Sequence, residues 1–484
     1  MSSDKVLPDF FSVFRYFDYG DGEYIMTLIE QSIVKIVSEI RNKKEWNLKI
    51  KNPEIKGKWK QELLTNFDEK DVQYALDECE YLAGKYTEGE KILEAVDGTF
   101  FADDYIPKSV LNQLIQAVEE FEKDTENSQD WHPGSDQQVL DLVHPSLYPV
   151  INGITRAITK DLSPTDTSIM ESYMNLGAGS VDNLAFEAIK NNRKRTWYDS
   201  SVSEKFVWLP TEVDVNAERN TKILSYINNL HPKKYGKLYA CIEQVLGHFV
   251  PMFNKVLTYS TEKYVSKQTP RIDPTTYYVE YFDEFVARIK KEINTEDKRQ
   301  KDGEEVENEE EGEEEEYEYE EEYYWEIFRE QKLVTPPAEY SFSPQNIIEP
   351  VDIVDLNGTR LQVIVKMANI CLTPEKPTYK GGVWHIEGML NEDIVSTGIY
   401  YYYQENITES RLNFRKTARE PYYEQNDKRG VRLEYGLEDE EALNQFLGGV
   451  DAEKYREELM AERKYLVNHQ NEMTFERRFS LCEH

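Results

Sequence analysis

The stretch Leu361-Gln-Val-Ile-Val-Lys-Met-Ala-Asn-Ile370 decides the fold class of this chain. It is short, apolar and rich in β-branched residues, which is typical of a buried strand. After the turn Thr373-Pro-Glu-Lys-Pro377 come two similar stretches, Gly381-Gly-Val-Trp-His-Ile-Glu-Gly388 and Ile394-Val-Ser-Thr-Gly-Ile-Tyr-Tyr-Tyr-Tyr403. Candidate strands separated by proline and glycine in this way predict an antiparallel barrel or jelly roll.

The part of the chain before these strands is more helical. Apolar residues recur at helical spacing in segments at residues 24–37, 71–85, 109–121 and 235–256. Residues 206–210 and 223–227 have the composition of short strands. We therefore predict an α+β protein. Its helical N-terminal part precedes an antiparallel double-stranded β-helix (jelly-roll) core with helical insertions.

The negative charge is concentrated in one tract. The net charge is −35, and residues 304–322 contain 14 glutamates and no basic residue. Because such dense like charges repel one another and offer nothing to bury, we predict a disordered acidic insertion at residues 294–322. A solvated surface loop is the simplest interpretation of the tract. The functional alternative is an acidic segment that binds a basic protein partner, such as a histone or a ribosomal protein.

These patterns divide the chain into four predicted parts. They are a helical N-terminal domain at residues 1–125, a mixed α/β first part of the core at 126–293, the acidic insertion at 294–322, and a β-rich jelly-roll part at 323–484. The last part also carries predicted charged helices at residues 437–448 and 451–468. The acidic insertion therefore interrupts the core and does not form a tail.

The overall composition argues against several classes of protein. With 57 basic and 92 acidic residues the protein repels phosphate, so we expect no nucleic-acid partner. The four cysteines show no CxxC spacing, which argues against a zinc or redox motif and against a disulfide scaffold. No apolar run approaches the ~18 residues of a membrane helix, and the first residues lack a signal-peptide pattern. We expect an intracellular protein, cytoplasmic or nuclear, with no membrane association.

One histidine has a carboxylate two residues away in a predicted strand, and this is the pair His385 and Glu387. Side chains at i and i+2 of a strand point to the same face, with Cα atoms about 6.6 Å apart. Both can therefore bind one ion, and an imidazole with a carboxylate suits non-haem iron(II). The alternative is a strand that presents two polar side chains to solvent, because the tripeptide is short and lacks a second histidine at a matching position.

Two other histidines have carboxylates close by in the sequence. The spacing in Asp130-Trp-His132 and in Asp141-Leu-Val-His144 allows an orienting hydrogen bond or shared metal ligation. Each of these histidines precedes proline, as does His231, and a residue before proline is held extended. We therefore favour a structural role in turns for all three histidines.

The same residues lie in long segments that resemble the mostly fungal family known as domain of unknown function 4246. The resemblance runs from about residue 20 to the end of the chain. The segments that carry it include Asp130-Trp-His-Pro-Gly-Ser135, Ser225-Tyr-Ile-Asn-Asn-Leu-His-Pro232, Gly382-Val-Trp-His-Ile-Glu-Gly-Met-Leu-Asn-Glu392 and Thr397-Gly-Ile-Tyr-Tyr-Tyr402.

The resemblance implies a third metal ligand further along the family's sequences. Family members are expected to continue past His484 into a strand with Gln-His-Arg-Val and then a further arginine. An iron(II)/2-oxoglutarate oxygenase keeps its distal histidine and its cosubstrate-binding arginine in such a place. We therefore expect this chain to be incomplete at its C-terminus, without the last core strands and without the third ligand. His484 itself precedes the expected ligand.

The leading hypothesis is an iron(II)/2-oxoglutarate-dependent oxygenase-like protein that acts on an unknown substrate. His385 and Glu387 are predicted as metal ligands, and Lys366 and Asn369 as residues that bind the cosubstrate. Without its distal histidine this chain is expected to bind iron weakly and to turn over poorly. The alternative is a non-enzymatic scaffold protein that binds a basic partner through the acidic tract.

Overall fold

A computed structural model gives the fold of the chain. It describes residues 7–11, 24–95, 98–157, 179–181, 202–300, 323–328, 330–408, 410–417 and 474–480, with the single residues Ile169, Met174 and Leu433. The acidic tract at 304–322 and the predicted helices at 437–448 and 451–468 lie outside the described residues.

The helices confirm the four helical segments predicted from apolar spacing. In chain order they are α1 (Leu28–Arg41), α2 (Trp46–Lys49), α3 (Pro53–Leu63), α4 (Glu69–Lys85), α5 (Lys108–Thr125), α6 (Gly236–Tyr259), α7 (Glu262–Val265) and α8 (Phe282–Gln300). Side chains cap several of them. Thr27 accepts the N–H of Glu30 at the start of α1, and Asp68 accepts that of Lys70 at the start of α4.

The strands are short. They are β1 (Leu93–Glu94), β2 (Phe100–Phe101), β3 (Asp130–Trp131), β4 (Val139–Val143), β5 (Val150–Ile151), β6 (Arg156–Ala157), β7 (Ser180–Val181), β8 (Phe206–Val207), β9 (Thr211–Val215), β10 (Thr221–Ile223), β11 (Tyr278–Val279), β12 (Val334–Thr335), β13 (Thr359–Val363), β14 (Met367–Ile370), β15 (Arg411–Thr417) and β16 (Thr474–Ser480). Among the described residues they form small antiparallel sheets of two or three strands. The two three-stranded sheets have the orders β10-β9-β13 and β14-β4-β3.

The predicted strand at residues 361–370 is two strands that belong to different sheets. β13 pairs with β9, with Leu361 opposite Val213, whereas β14 pairs with β4, with Asn369 opposite Leu140. Residues 364–366 lie between the two strands and let the chain leave one sheet and enter the next. The register of the β14–β4 pair shifts between Met367 and Ala368, which lie opposite Val143 and Asp141, so the extra residue is Leu142 on β4.

The α+β class is confirmed, but the jelly-roll core is not. None of the sheets in the described parts of the chain closes on itself. The predicted strands at 381–388 and 394–403 are not assigned as strands. Gly381 and Gly388 have φ values of 89° and 87°, so the backbone turns at both ends of the first segment. In the second, a Cβ at Gly398 would lie 2.7 Å from the Phe249 ring, because the segment passes close over α6.

Most of the helices pack in two hydrophobic cores, while α8 packs with Tyr324 and Phe328 in a smaller cluster. Helices α1 and α4 bury their apolar faces in the first core, together with Ile272 and Tyr277 from much later in the chain. Helix α5 contributes Leu114 and Phe121 to the second core, where it packs with α6 and the three-stranded sheets. α5 thus packs with the sheets, although the sequence analysis places it in the N-terminal helical domain. Helix α8 extends to Gln300 and so includes residues 294–300 of the predicted acidic insertion.

No helix in the described part of the chain combines the length and the apolarity needed to cross a bilayer. This finding agrees with the absence of a long apolar run in the sequence.

A buried ion network joins the first core to the segment after α7. The guanidinium of Arg271 donates to both oxygens of Glu78 on α4, at 2.8 and 3.0 Å. Its backbone N–H donates to Glu30 on α1 at 2.9 Å. Arg41 also contacts Glu78, at 3.4 Å. Burial by itself raises the pKa of Glu78, but the two arginines outweigh burial and hold this pKa below its ordinary value.

We expect Glu78→Gln to lower the free energy of unfolding by about 3 kcal/mol, the lower end of the cost of breaking a buried pair, because Arg271 keeps only Glu30 at 3.7 Å and Arg41 only Glu94 at 3.6 Å. The measurement is urea denaturation near neutral pH. The stabilisation from Glu78 is present above the ordinary carboxyl pKa of 4.5 and is lost as the pH falls through the lower folded-state pKa. The wild-type advantage over Glu78→Gln should therefore shrink in acid.

Glu120→Gln is the matched control for this prediction, because Glu120 on α5 contacts Lys237 at 2.9 Å in a solvent-exposed pair. Exposed pairs contribute about 0–1 kcal/mol. Equal losses in the two variants would show that the buried network does not hold the first core together.

Candidate metal centre

The predicted metal pair meets in space, although it does not lie on a strand. His385 Nε2 is 3.2 Å from Glu387 Oε1. The two side chains are 54 % and 39 % exposed, so the pair is open to solvent on one side. Imidazole and carboxylate ligands bind a common ion at about 2.0–2.2 Å, which places their donor atoms about 3 Å apart. The pair therefore has the separation that two ligands of one ion require.

The main chain selects the tautomer of His385. Its Nδ1 lies 2.9 Å from the carbonyl oxygen of Val383, and a carbonyl can only accept, so Nδ1 carries the proton. Glu387 likewise can only accept, so Nε2 carries a proton when it donates to this carboxylate, and it offers a lone pair to a metal once that proton is lost. A metal-binding histidine commonly donates its other N–H to a carbonyl in this way. The hydrogen bond with Glu387 raises the pKa of His385, and the charge of Lys366 opposes the increase.

A single carboxylate anchors the loop that carries the pair. One oxygen of Glu392 accepts the backbone N–H of Trp208 and the other accepts that of Met389, both at 2.7 Å. Asn391 adds a bond to the backbone N–H of Ser203, at 3.1 Å. Gly388 fits tightly in this turn, since a Cβ there would lie 2.7 Å from Ile394. The loop is thereby joined to the segment before β9.

The two residues predicted to bind the cosubstrate differ in their surroundings. Lys366 lies in the break between β13 and β14 and is exposed, and its charge acts on His385. Asn369 lies on β14, where its amide nitrogen donates to Glu122 at 2.7 Å and its oxygen accepts from Tyr402. Lys366 is therefore electrostatically linked to the metal pair, whereas Asn369 links α5 to Tyr402. The cosubstrate role of both residues stays a prediction.

The structure also brings together a second group of possible metal ligands, which the sequence did not indicate to lie close to one another. His132, Asp141 and His144 each offer one ligand atom, and these atoms lie within 4.8 Å of one another. His132 Nδ1 is 2.8 Å from Asp141 Oδ2, and the two imidazole rings lie 5.2 Å apart. The sequence spacing pairs His132 with Asp130 and His144 with Asp141. The structure instead joins His132 to Asp141.

His132 and Asp141 meet because of the register of the β3–β4 hairpin, which the sequence alone does not give. Asp130 lies opposite Asp141 and Trp131 opposite Leu140, and the N–H of His132 donates to the carbonyl of Val139. His132 and Asp141 are therefore diagonal neighbours on one face of the β3–β4 hairpin. The Pro-Gly sequence directly after His132 was the available signal, because it marks a turn and so predicts the pairing.

His144 and His231 both have the turn role that the sequence predicted. The Nδ1 atom of His144 accepts the backbone N–H of Ser146, and that of His231 accepts the backbone N–H of Lys233, each at 3.2 Å. Both rings thus hold the turn formed by their own His-Pro sequence. His231 is not part of the group of three ligands.

Comparison with known families places most of the chain in one of them. Residues 69–457 match the family described as Protein of unknown function (DUF4246), and residues 9–62 match the Domain of unknown function DUF4246, N-terminal. The chain therefore belongs to the DUF4246 family. Neither a curated protein nor a solved structure matches the chain.

We expect Glu392→Gln to loosen the loop of the metal pair, because an amide has one acceptor oxygen where the carboxylate has two. One of the two backbone N–H groups then loses its partner, at a cost of about 1–3 kcal/mol. Hydrogen exchange measures this directly. The amide of Trp208 or of Met389 should exchange about tenfold faster or more.

Glu375→Gln is the control for the Glu392 variant, because Glu375 is an exposed residue shortly before the same loop. If both amides keep their wild-type protection in Glu392→Gln, the carboxylate does not anchor the loop.

Proposed function

We propose that this DUF4246 protein is a non-haem iron(II), 2-oxoglutarate-dependent oxygenase. His385 and Glu387 supply two of its metal ligands. The observation that carries the proposal is the arrangement of the imidazole. Val383 accepts from Nδ1, so loss of the other ring proton leaves the Nε2 lone pair 3.2 Å from a Glu387 oxygen, in a pair that solvent reaches.

The donor set suits the proposed metal. Iron(II) oxygenases use two imidazoles and one carboxylate and leave other coordination positions open. The pair provides one of each type, and its exposure leaves the remaining positions free for a cosubstrate. Within the described residues the group of three ligands lies elsewhere, at His132, Asp141 and His144. We propose that the third ligand to the His385 site comes from a residue outside those the structure describes, as the family resemblance implies.

The roles of the chain's own groups follow from their positions. His385 and Glu387 hold the ion, and the carbonyl of Val383 keeps the imidazole in the binding tautomer. Lys366 supplies a positive charge near the pair, which suits a dicarboxylate cosubstrate. When bound, iron(II) with 2-oxoglutarate supplies the activation of dioxygen for oxidation of a substrate C–H bond. We further propose that the small sheets belong to a double-stranded β-helix.

Iron(II) titration of the full chain under anaerobic conditions tests the site. We expect His385→Ala to weaken binding at least about tenfold, because changes outside the ligand shell already cost that much. In the wild type, affinity should fall as the pH decreases through a pKa above 6.5, since Glu387 stabilises the protonated imidazole that competes with the metal.

The matched control is His248→Ala. The Nδ1 of His248 also donates to a carbonyl, that of Gln244 at 2.8 Å, but no carboxylate stands two residues away. Iron(II) binding that is unchanged in His385→Ala, or reduced equally by both substitutions, rules out His385 as a ligand.

A second proposal concerns the acidic tract, which has 14 glutamates in residues 304–322 and lies outside the described residues. We propose that it binds a basic protein partner. Replacing these glutamates with glutamine keeps the length of the tract and removes its charge. We expect the variant to lose binding to purified histones or ribosomal proteins in a pull-down at low salt, where electrostatic attraction is strongest.

The control is the deletion of residues 300–323, which removes the segment altogether. Partners that survive both changes bind elsewhere on the protein, and the tract is then only a surface loop.

A further inference from the structure

We propose that His132, Asp141 and His144 bind one divalent transition-metal ion in a closed, structural site, distinct from the open pair at His385 and Glu387. The three residues come from the β3–β4 hairpin and from the turn that follows it. The ion would hold the end of the hairpin to that turn.

The separations within the triad fit coordination of a single ion. His132 Nδ1 and Asp141 Oδ2 are 2.8 Å apart, close to the distance between two ligands that each lie about 2.0–2.2 Å from a common ion. His144 brings its ligand atom within 4.8 Å of both others. In the metal-free protein a proton occupies the space between His132 and Asp141, and a metal ion would replace it.

Burial distinguishes this triad from the His385 pair. The Asp141 side chain is fully buried and that of His132 is 20 % exposed, and His144 is buried as well. Structural metal sites give substrate no access, whereas catalytic sites keep a coordination position open for water or substrate. The triad supplies three protein ligands and needs a fourth, such as a water, and its burial restricts the access of a substrate to that position. The closed triad therefore fits a structural ion, and the open pair fits a catalytic one.

The donor atoms select the type of ion. Two imidazoles and one carboxylate suit zinc, cobalt, manganese or iron, whereas magnesium and calcium prefer sites made of oxygen ligands alone. We therefore assign the site to a transition metal, with zinc as the expected ion.

His144 has to change its hydrogen bonding to take part. Its Nδ1 accepts the N–H of Ser146 at 3.2 Å, so Nε2 carries the proton of the neutral ring in the metal-free state. Binding through Nε2 moves that proton to Nδ1 and breaks the long bond from Ser146. Ser146 is held independently of this bond, because its hydroxyl accepts the indole N–H of Trp208 at 2.9 Å. The turn therefore keeps an anchor while His144 changes tautomer.

The ion would act on the sheet that leads to the catalytic pair. β4, which carries Asp141, pairs with β14, and β14 follows directly after Lys366. Holding Asp141, at the middle of β4, and His144, directly after it, on one ion would stiffen the strand that supports this part of the chain. The role is thus one of positioning and stability, not of direct contact with a substrate.

The test uses the full chain with both His385 and Glu387 replaced by alanine, so that the other pair cannot bind. We expect this double variant to bind one equivalent of cobalt(II) with visible d–d absorption, and to show a higher thermal midpoint when zinc(II) is added. Adding His132→Gln to the same background should abolish both the absorption and the zinc-induced rise of the thermal midpoint. His132 is partly exposed, so this variant is expected to fold.

The matched control is His231→Gln in the same background, because His231 holds a His-Pro turn as His144 does but lies outside the triad. It should bind cobalt(II) normally. Asp141→Asn provides a second variant of the site. If the double variant binds no cobalt(II), or if His132→Gln and His231→Gln bind it equally, the triad is not a metal site. Neither result bears on iron binding at His385 in the unmodified chain.

Discussion

The segment from Thr359 to Ile370 is the constraint on which the second core depends, because it belongs to both three-stranded sheets. Its first half completes the sheet of β9 and its second half completes the sheet of β4. Side chains along it, including Leu361, Val363 and Met367, pack in the core that α5 and α6 also fill. A shift in the register of either half would move the other half, because only residues 364–366 separate them. The break also determines where the charge of Lys366 is placed.

The chemistry of the histidines depends on which backbone group each ring contacts. A carbonyl fixes the proton of His385 on Nδ1, whereas a backbone N–H requires the Nδ1 of His144 to be free of a proton. The first ring keeps its Nε2 for Glu387, whereas the second supports its own turn through Nδ1. The two histidines therefore differ in how far their hydrogen bonds must change before the ring can bind a metal ion.

The sequence predicted those features that depend on nearby residues. The helix expected at residues 71–85 is found at Glu69–Lys85, and the spacing of His385 and Glu387 correctly placed two donor atoms together. Features that depend on pairing between residues far apart in the sequence could not be predicted. The meeting of His132 with Asp141 requires the hairpin register, and the break at residues 364–366 requires two separate strand partners. Turns at Gly381 and Gly388 likewise replaced an expected strand, because alternation alone does not show where positive φ values occur.

The pairing of β4 with β14 also affects folding during synthesis, because the two strands are far apart in the sequence. Val139 and Ile370 are neighbours in the sheet, so during synthesis β4 leaves the ribosome long before its partner exists. At about 5–20 residues per second the delay is roughly ten to fifty seconds. Residues 140–143 are buried in the finished protein and would expose apolar surface during that time. Helix α5 is made just before β4 and packs in the same core, so it is the segment best placed to cover the nascent strand.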